Sequence, residues 1–205
     1  MRSKTSGGAR PAASAPGVVR IIGGTWKRSK LAVAAVPGLR PTPDRVRETL
    51  FNWLGQDLSG LRCLDAFAGS GALGFEAASR GAAEVLLIEQ APALAASLRD
   101  NATRLRASQI TVLRGDALSL MRQRSGQGWD VVFLDPPFGD GQNEALFREA
   151  LTAARALVAA DGRVYLEAPR PWGEAELSGL GWALLRQGRA GQVAFHLLGP
   201  APGGG

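Results

Sequence analysis

Hydrophobic residues fall into two alternating kinds of run. Short, almost wholly apolar runs near 61–66, 84–88, 110–114, 129–134 and 162–168 have strand length. Such runs are expected where a strand is covered on both faces. Between them lie longer stretches with apolar residues three or four apart, the period of a helix that buries one side. Alternation of the two predicts parallel strands joined by helical crossovers. The last two strands, Trp182–Gln187 and Gln192–Leu198, are separated only by Gly188-Arg189-Ala190-Gly191. A connection that short makes an antiparallel hairpin. The expected fold is therefore α/β and Rossmann-like, a seven-stranded, mostly parallel sheet that ends in an antiparallel hairpin. Upstream, Arg20–Leu31 reads as a short hairpin and Gly38-Leu39-Arg40-Pro41 as a loop. Thr42-Pro43 reads as an N-cap followed by proline at the first helical position. The helix behind it places Val46, Leu50, Trp53 and Leu54 on one face.

The chain has 205 residues, 45% of them hydrophobic, enough for one substantial core. Residues 1–17 and 199–205 are rich in Gly, Ser, Ala and Pro and are expected to be disordered, the first as a basic leader. Between them, 18–57 forms an N-terminal hairpin and helix, and 58–198 the sheet domain. The single cysteine, Cys63, lies in a strand and is expected in the core. No apolar run is long enough for a membrane span and no signal segment is evident, so the protein is expected in the cytoplasm. Charge is uneven. Residues 1–50 carry ten Lys or Arg against Asp44 and Glu48, a net of +8, whereas the whole chain is +6 and the remainder −2. A basic N-terminal region beside a near-neutral sheet suggests that the N-terminus grips a polyanion while the sheet does chemistry. Trp26 among Lys27, Arg28 and Lys30 adds a face for stacking.

Two loops carry the candidate chemistry. Asp135-Pro136-Pro137-Phe138 follows the strand at 129–134. Two prolines lack N–H groups and lock φ, so the chain leaves the sheet in one stiff conformation. The Asp135 carboxylate and the Pro136 carbonyl then form a rigid pair of acceptors, with the Phe138 ring two positions on. That set suits a planar base with an exocyclic amine, whose two hydrogens meet the acceptors while its ring stacks on Phe138. Upstream, the strand Arg62–Ala66 runs into Phe67-Ala68-Gly69-Ser70-Gly71-Ala72-Leu73-Gly74, a glycine turn that opens a helix from Phe75 to Arg80. Glu89, twenty residues after Gly69, ends the next strand. Gly69-x-Gly71-x-x-Gly74 matches a nucleotide-binding fingerprint, and an acid at Glu89 suits the hydroxyls of an adenosine ribose. The glycine pattern alone fits a nicotinamide dinucleotide or S-adenosylmethionine (SAM). The double proline at the same sheet edge favours methyl transfer from SAM over hydride transfer.

The segments Arg20–Leu31, Gly38–Leu54, Leu64–Gly74, Ile88-Glu89, Asp135–Phe138 and Gly191-Gln192-Val193 together resemble the bacterial small-subunit (16S) rRNA guanine-N2 methyltransferases. The likeness covers about residues 18–198. Asp135–Phe138 is shared with amino-methyltransferases acting on adenine N6 and cytosine N4, while Gly38–Leu54 is much more specific. The resemblance implies a class I SAM-dependent methyltransferase fold. It places Gly69, Ser70 and Gly71 with the methionine part of SAM, Asp65 near its amino group and Glu89 on the ribose, with Phe67 and Asp135 also among the cofactor-binding residues. Asp116 and Ala117 would lie at the adenine, and Asp135–Phe138 would be catalytic. Asp65 and Asp116 have a plainer alternative, as caps of the turn and helix that follow each. Arg20, Trp26, Lys27, Arg28, Lys30, Arg40, Arg45 and Arg47 are the expected RNA-binding residues. The expected partner is 16S rRNA in an assembled or assembling small subunit, with a monomeric enzyme and neither metal nor membrane.

Guanine N2 is a weak nucleophile because its lone pair is conjugated with the ring. Acceptors at Asp135 and Pro136 favour a pyramidal nitrogen and align it for in-line displacement. The target base must be extruded or unpaired. A DNA amino-methyltransferase is the alternative, although the chain leaves no space for a target-recognition region; a nonenzymatic RNA-binding module is another. His196 is expected to be structural, and Trp129, Trp172 and Trp182 to pack. Tyr165 and Glu167 share a strand face without a defined task.

Overall fold

Seven strands assemble in the order β5-β4-β3-β6-β7-β9-β8 in this computed structural model, which describes residues 17–138 and 143–202. They are β3 (Arg62–Asp65), β4 (Glu84–Glu89), β5 (Ile110–Arg114), β6 (Trp129–Leu134), β7 (Val158–Ala168), β8 (Trp182–Ala190) and β9 (Val193–Pro200). The first five run parallel to one another, and β9 runs antiparallel to both β7 and β8. A separate antiparallel pair, β1 (Gly17–Arg20) and β2 (Lys30–Val33), precedes the sheet. The helices are α1 (Asp44–Trp53), α2 (Ala72–Ser79), α3 (Pro92–Leu105), α4 (Ala117–Arg122), α5 (Glu144–Leu157) and α6 (Glu174–Ser178).

Strand alternation divides the apolar residues between two layers. Cys63, Val131, Phe133 and Tyr165 face a core completed by Val46, Leu50 and Phe51 of α1, Phe75 of α2 and Leu98 of α3. Leu64, Val132, Leu134, Val164 and Leu166 face the opposite core, with Phe147, Leu151 and Leu157 of α5. Val19, Ile21, Leu31 and Val33 of the hairpin belong to the first core, so no break in packing accompanies residue 57. Cys63 is fully buried, and burial pushes its thiol up to about 12, which leaves it inert as a nucleophile. Trp129, Trp172 and Trp182 are buried as well.

Several boundaries differ from the sequence reading. β9 continues through Gly199 and Pro200, which pair with Ala183 and Trp182, so these two residues are strand rather than tail. Gly17 likewise opens β1 opposite Val33. The expected disorder of 1–16 and 203–205 lies outside the described residues. β7 begins at Val158, opposite Trp129, rather than at 162. The last hairpin turns at Gly191-Gln192, since Gly188 stays in the strand, where the Phe195 ring occupies the space of a side chain. Helix α2 starts at Ala72 because Gly71, with φ of 78°, closes the turn before it. Thr42 does not cap α1; its hydroxyl is engaged elsewhere, and Pro43 precedes the first helical residue. The inward face of α1 is Val46, Arg47, Leu50 and Phe51, with Trp53 and Leu54 only half-buried. The face is rotated because Arg47 points inward to a buried carboxylate.

His196 is fully buried in β9. Its Nε2 accepts the Trp172 N–H at 3.1 Å and its Nδ1 lies 3.3 Å from the Leu166 carbonyl. The ring is therefore neutral, with the proton on Nδ1. Burial holds its pKa below the ordinary histidine value, and its role is structural.

Candidate active site

The chain leaves β3 with β4 on one side and β6 on the other, and this point in a doubly wound sheet is where ligands bind. Asp65 pairs with Phe133 of β6 and Leu87 of β4, so the loops after these three strands open together at one carboxyl edge. The glycine loop follows β3, Glu89 closes β4, and Asp135 follows β6.

Gly69 and Gly71 take φ of 51° and 78°, conformations that other residues rarely adopt. A side chain at Gly71 would strike Leu98 and Phe75, and one at Gly74 would meet Leu87 at 2.1 Å. The glycines are therefore needed so that Leu98, Phe75 and Leu87 can pack directly against the loop backbone. Glu89 braces this loop: Oε2 accepts the Gly69 N–H at 2.8 Å and Oε1 the Ala91 N–H at 2.7 Å. Asp65 is buried, and its Oδ2 accepts the Gly74 N–H at 3.0 Å in the first turn of α2. Burial, opposed by that hydrogen bond, raises its pKa to about 7. The capping alternative for Asp65 is thus present in the structure. The same holds for Asp116, whose Oδ1 accepts the Ser119 N–H at 2.8 Å as N-cap of α4; this bond lowers its pKa. Asp116 remains exposed, and Ala117 beside it is buried. Phe67 is half-buried against the second core, while buried Ser70 accepts the Ala72 N–H.

Asp135 is half-buried and Pro136 buried. Among the described residues no donor bonds the Asp135 carboxylate or the Pro136 carbonyl. Burial, then the charges on Glu167 and Asp65, pushes Asp135 well above the usual carboxylate range. Phe138 is half-buried, with its ring centroid 6.1 Å from that of Phe147. The Asn143 side-chain amide donates to the Pro137 carbonyl at 3.3 Å and ties the loop to the start of α5.

Seven of the eight expected RNA-binding residues are available on the surface. Arg20, Lys27, Arg28, Lys30, Arg40 and Arg45 are exposed and Trp26 is half-buried. Arg20 shares an exposed ion pair with Asp44 at 3.2 Å. Arg47 is a correction: it is only 1% exposed. Its guanidinium contacts Glu76 at 3.3 Å, Asp44 at 2.6 Å and the carbonyls of Thr42 and Arg20. Helical spacing from Arg40 and Arg45 could not show this, because the buried partner, Glu76, comes from α2. A cavity of about 360 Å³ opens between the hairpin and Pro41–Asp44, with Arg20 and Lys30 at its wall.

Sequence reasoning missed the fastening of this region. The Gly23-Gly24 turn lies on the end of α2, where Ser79 binds the Gly23 carbonyl and the Trp26 N–H, and Thr25 N–H donates to the Ser79 carbonyl at 2.7 Å. It also missed Thr42, whose hydroxyl donates to Glu167 at 2.7 Å, and the Tyr165 hydroxyl, which donates to the same oxygen at 3.0 Å. A carboxylate inside the apolar run Val164-Tyr165-Leu166-Glu167-Ala168 was the available signal.

A seven-stranded sheet of this order, with its last strand inserted antiparallel and a glycine loop at the switch point, defines a class I SAM-dependent methyltransferase. The residues fit SAM: a tight glycine turn with positive φ at Gly69 and Gly71, and carboxylates at Asp65 and Glu89 suited to an ammonium and to ribose hydroxyls. The family described as "Conserved hypothetical protein 95" matches residues 19–199, and the chain belongs to it. It is 43% identical over 188 residues to ribosomal RNA small subunit methyltransferase D of Escherichia coli strain K12, covering 92% of this chain and 93% of that protein. The enzyme of the same name from Haemophilus influenzae is 39% identical over 187 residues, with 90% and 95% covered. The solved structure of Escherichia coli yhhF superposes with a TM-score of 0.75 at 42% identity, over 90% of this chain and 99% of that one. Among the described residues no helix is long and apolar enough to cross a membrane.

Proposed function

We propose that the protein transfers a methyl group from SAM to the exocyclic N2 amine of a guanine in 16S rRNA of the small ribosomal subunit. The observation that carries the reading is the pair of acceptors at Asp135 and Pro136, without a described protein donor, beside the glycine loop. The names of the relatives support rRNA as the substrate.

SAM, when bound, would supply a methyl group on a positively charged sulfur, and breaking that S–C bond would leave the neutral thioether S-adenosylhomocysteine. Gly69, Ser70 and Gly71 give it backbone to lie against, with Phe67 alongside. Asp65 would hold its ammonium, Glu89 its ribose, and Asp116 with Ala117 its adenine. Asp135 and the Pro136 carbonyl accept the two amine hydrogens and orient the lone pair. Pro136 and Pro137 keep that geometry stiff. As charge develops on nitrogen, its hydrogens become acidic and Asp135 takes one. Phe138 holds the base by stacking, worth about 1 to 3 kcal/mol. Arg20, Lys27, Arg28, Lys30, Arg40 and Arg45 grip phosphates around the site, with Trp26 among them.

The test is methyl transfer from labelled SAM to unmodified small subunits, naked rRNA and duplex DNA in parallel, read by nucleoside mass spectrometry. N2-methylguanosine in the ribosomal substrate is expected; N6-methyladenine in DNA overturns the substrate. Asp135→Ala should abolish transfer while SAM still binds in calorimetry, and normal turnover by that variant would remove Asp135 from the mechanism.

A further inference from the structure

Glu167 is a buried carboxylate, 5% exposed, for which the transfer chemistry so far has no use. It lies on β7 next to β6, and the pairing of Leu134 with Leu166 brings Asp135 and Glu167 to the same level of the carboxyl edge. One of its oxygens accepts two hydroxyls. Tyr165 comes from its own strand, but Thr42 comes from 125 residues away, in the segment that leads into α1. That segment touches the cofactor side as well: Leu39 sits where a side chain on Gly69 would be, 3.1 Å from the position of its Cβ. Residues 39–42 therefore span from the glycine loop to the strand beside Asp135, and exposed Arg40 lies between the two contacts. A buried hydrogen bond to a carboxylate is a strong fastening.

We propose that Glu167 is a positioning residue for methyl transfer: it anchors the Leu39–Thr42 segment over the site and supplies the negative charge against which Asp135 accepts a proton. The proposal rests on the functional reading above. Two carboxylates side by side in a partly desolvated edge do not both ionise freely, so each holds a proton to higher pH than it would alone. Burial, opposed by the Thr42 and Tyr165 hydroxyls, raises Glu167 too. The other groups that face the pair are Asp65 from β3, with Glu89 of β4 behind it, and Tyr165. On the far side β9 offers uncharged Phe195 opposite Glu167, and Arg47 bonds the Thr42 carbonyl while its charge is paired with Asp44 and Glu76. None of the charged groups that act on Asp135 is a cation. Removing the Glu167 charge should therefore make Asp135 a weaker base, ionised at lower pH.

The test compares wild type, Glu167→Gln and Thr42→Val on unmodified small subunits, with SAM affinity and thermal unfolding measured for each. Gln keeps an acceptor for Thr42 and Tyr165 while deleting the charge. The acid limb of its kcat–pH profile is expected about one unit lower than in wild type, with SAM affinity unchanged. Thr42→Val keeps the volume but removes the anchor; its kcat/KM for subunits should fall about tenfold or more while SAM affinity holds. A Glu167→Gln profile superimposable on wild type overturns the proposal, as does a loss of activity in both variants that merely tracks lost SAM binding and stability. Absence of transfer by wild type would instead count against the functional reading.

Discussion

Arg45 and Arg47 stand two apart in one helix, and the structure gives them opposite roles. Arg45 is exposed, whereas Arg47 is sealed between Asp44 and Glu76, and Glu76 itself is fully buried. Removing one member of a buried pair leaves a charge without its partner, at a cost of about 3 to 5 kcal/mol. Arg80 also contacts Glu76, at 2.9 Å, and will moderate that cost. Arg47→Ala is thus expected to lower unfolding free energy by about 3 kcal/mol in urea titrations. Arg45→Ala should leave stability within about 0.5 kcal/mol of wild type while weakening subunit binding and its salt dependence. Equal stability of the two variants would show that Arg47 is not buried in this way. Both arginines were legible as cations, but burial depends on Glu76, which is 29 positions away in sequence.

At the scale of elements, the basic hairpin is built onto the helix that begins at the glycine loop. Its connecting turn, Ile21–Ser29, rests on α2 through Glu76, which accepts the Ile22 N–H at 2.9 Å, and through Ser79. Gly24 makes this possible. Its φ is 70°, and a Cβ there would lie 1.7 Å from the Ser79 carbonyl oxygen, a backbone atom that cannot swing away. Gly24→Ala should therefore detach the turn from α2. Faster hydrogen exchange is expected at Thr25 and Trp26, whose N–H groups donate to Ser79, with weaker subunit binding and an intact sheet. Unchanged protection at these amides would show that the contact is not needed. The hairpin itself was legible from Gly, Thr and Lys clustered between apolar runs. Its docking was not, because a Gly-Gly pair reads as a turn whether or not another backbone lies against it.

Across the whole molecule, three carboxyls held above their ordinary range collect where three strands end. Asp65 is raised from 3.8 to about 7, chiefly by burial, and Asp135 and Glu167 are raised as well. A carboxyl raised in the folded state binds its proton more tightly there than in the unfolded chain. Its contribution to stability is complete below the unfolded value and is lost as pH rises through the folded one. Between about pH 4 and about pH 7, wild type should therefore lose stability relative to Asp65→Asn. Thermal unfolding of both proteins across that range checks the sign; a difference that stays constant with pH would mean that Asp65 titrates normally. Such a concentration of acid at one edge weakens the fold, and it coincides with the place where a cationic sulfur and a nascent ammonium would be met.

The sequence by itself determined the alternating architecture, the antiparallel ending and the two loops at the active edge. These follow from local rules: apolar period, the stiffness of Pro136-Pro137 and the backbone freedom of Gly69 and Gly71. Tertiary structure alone decided which polar residues face one another. Arg47 met Glu76, Thr42 met Glu167, and Asp65 turned back to Gly74. A charge or hydroxyl in the chain is equally compatible with solvent, a cap or a buried partner. Its environment is set by segments that only the folded sheet brings together.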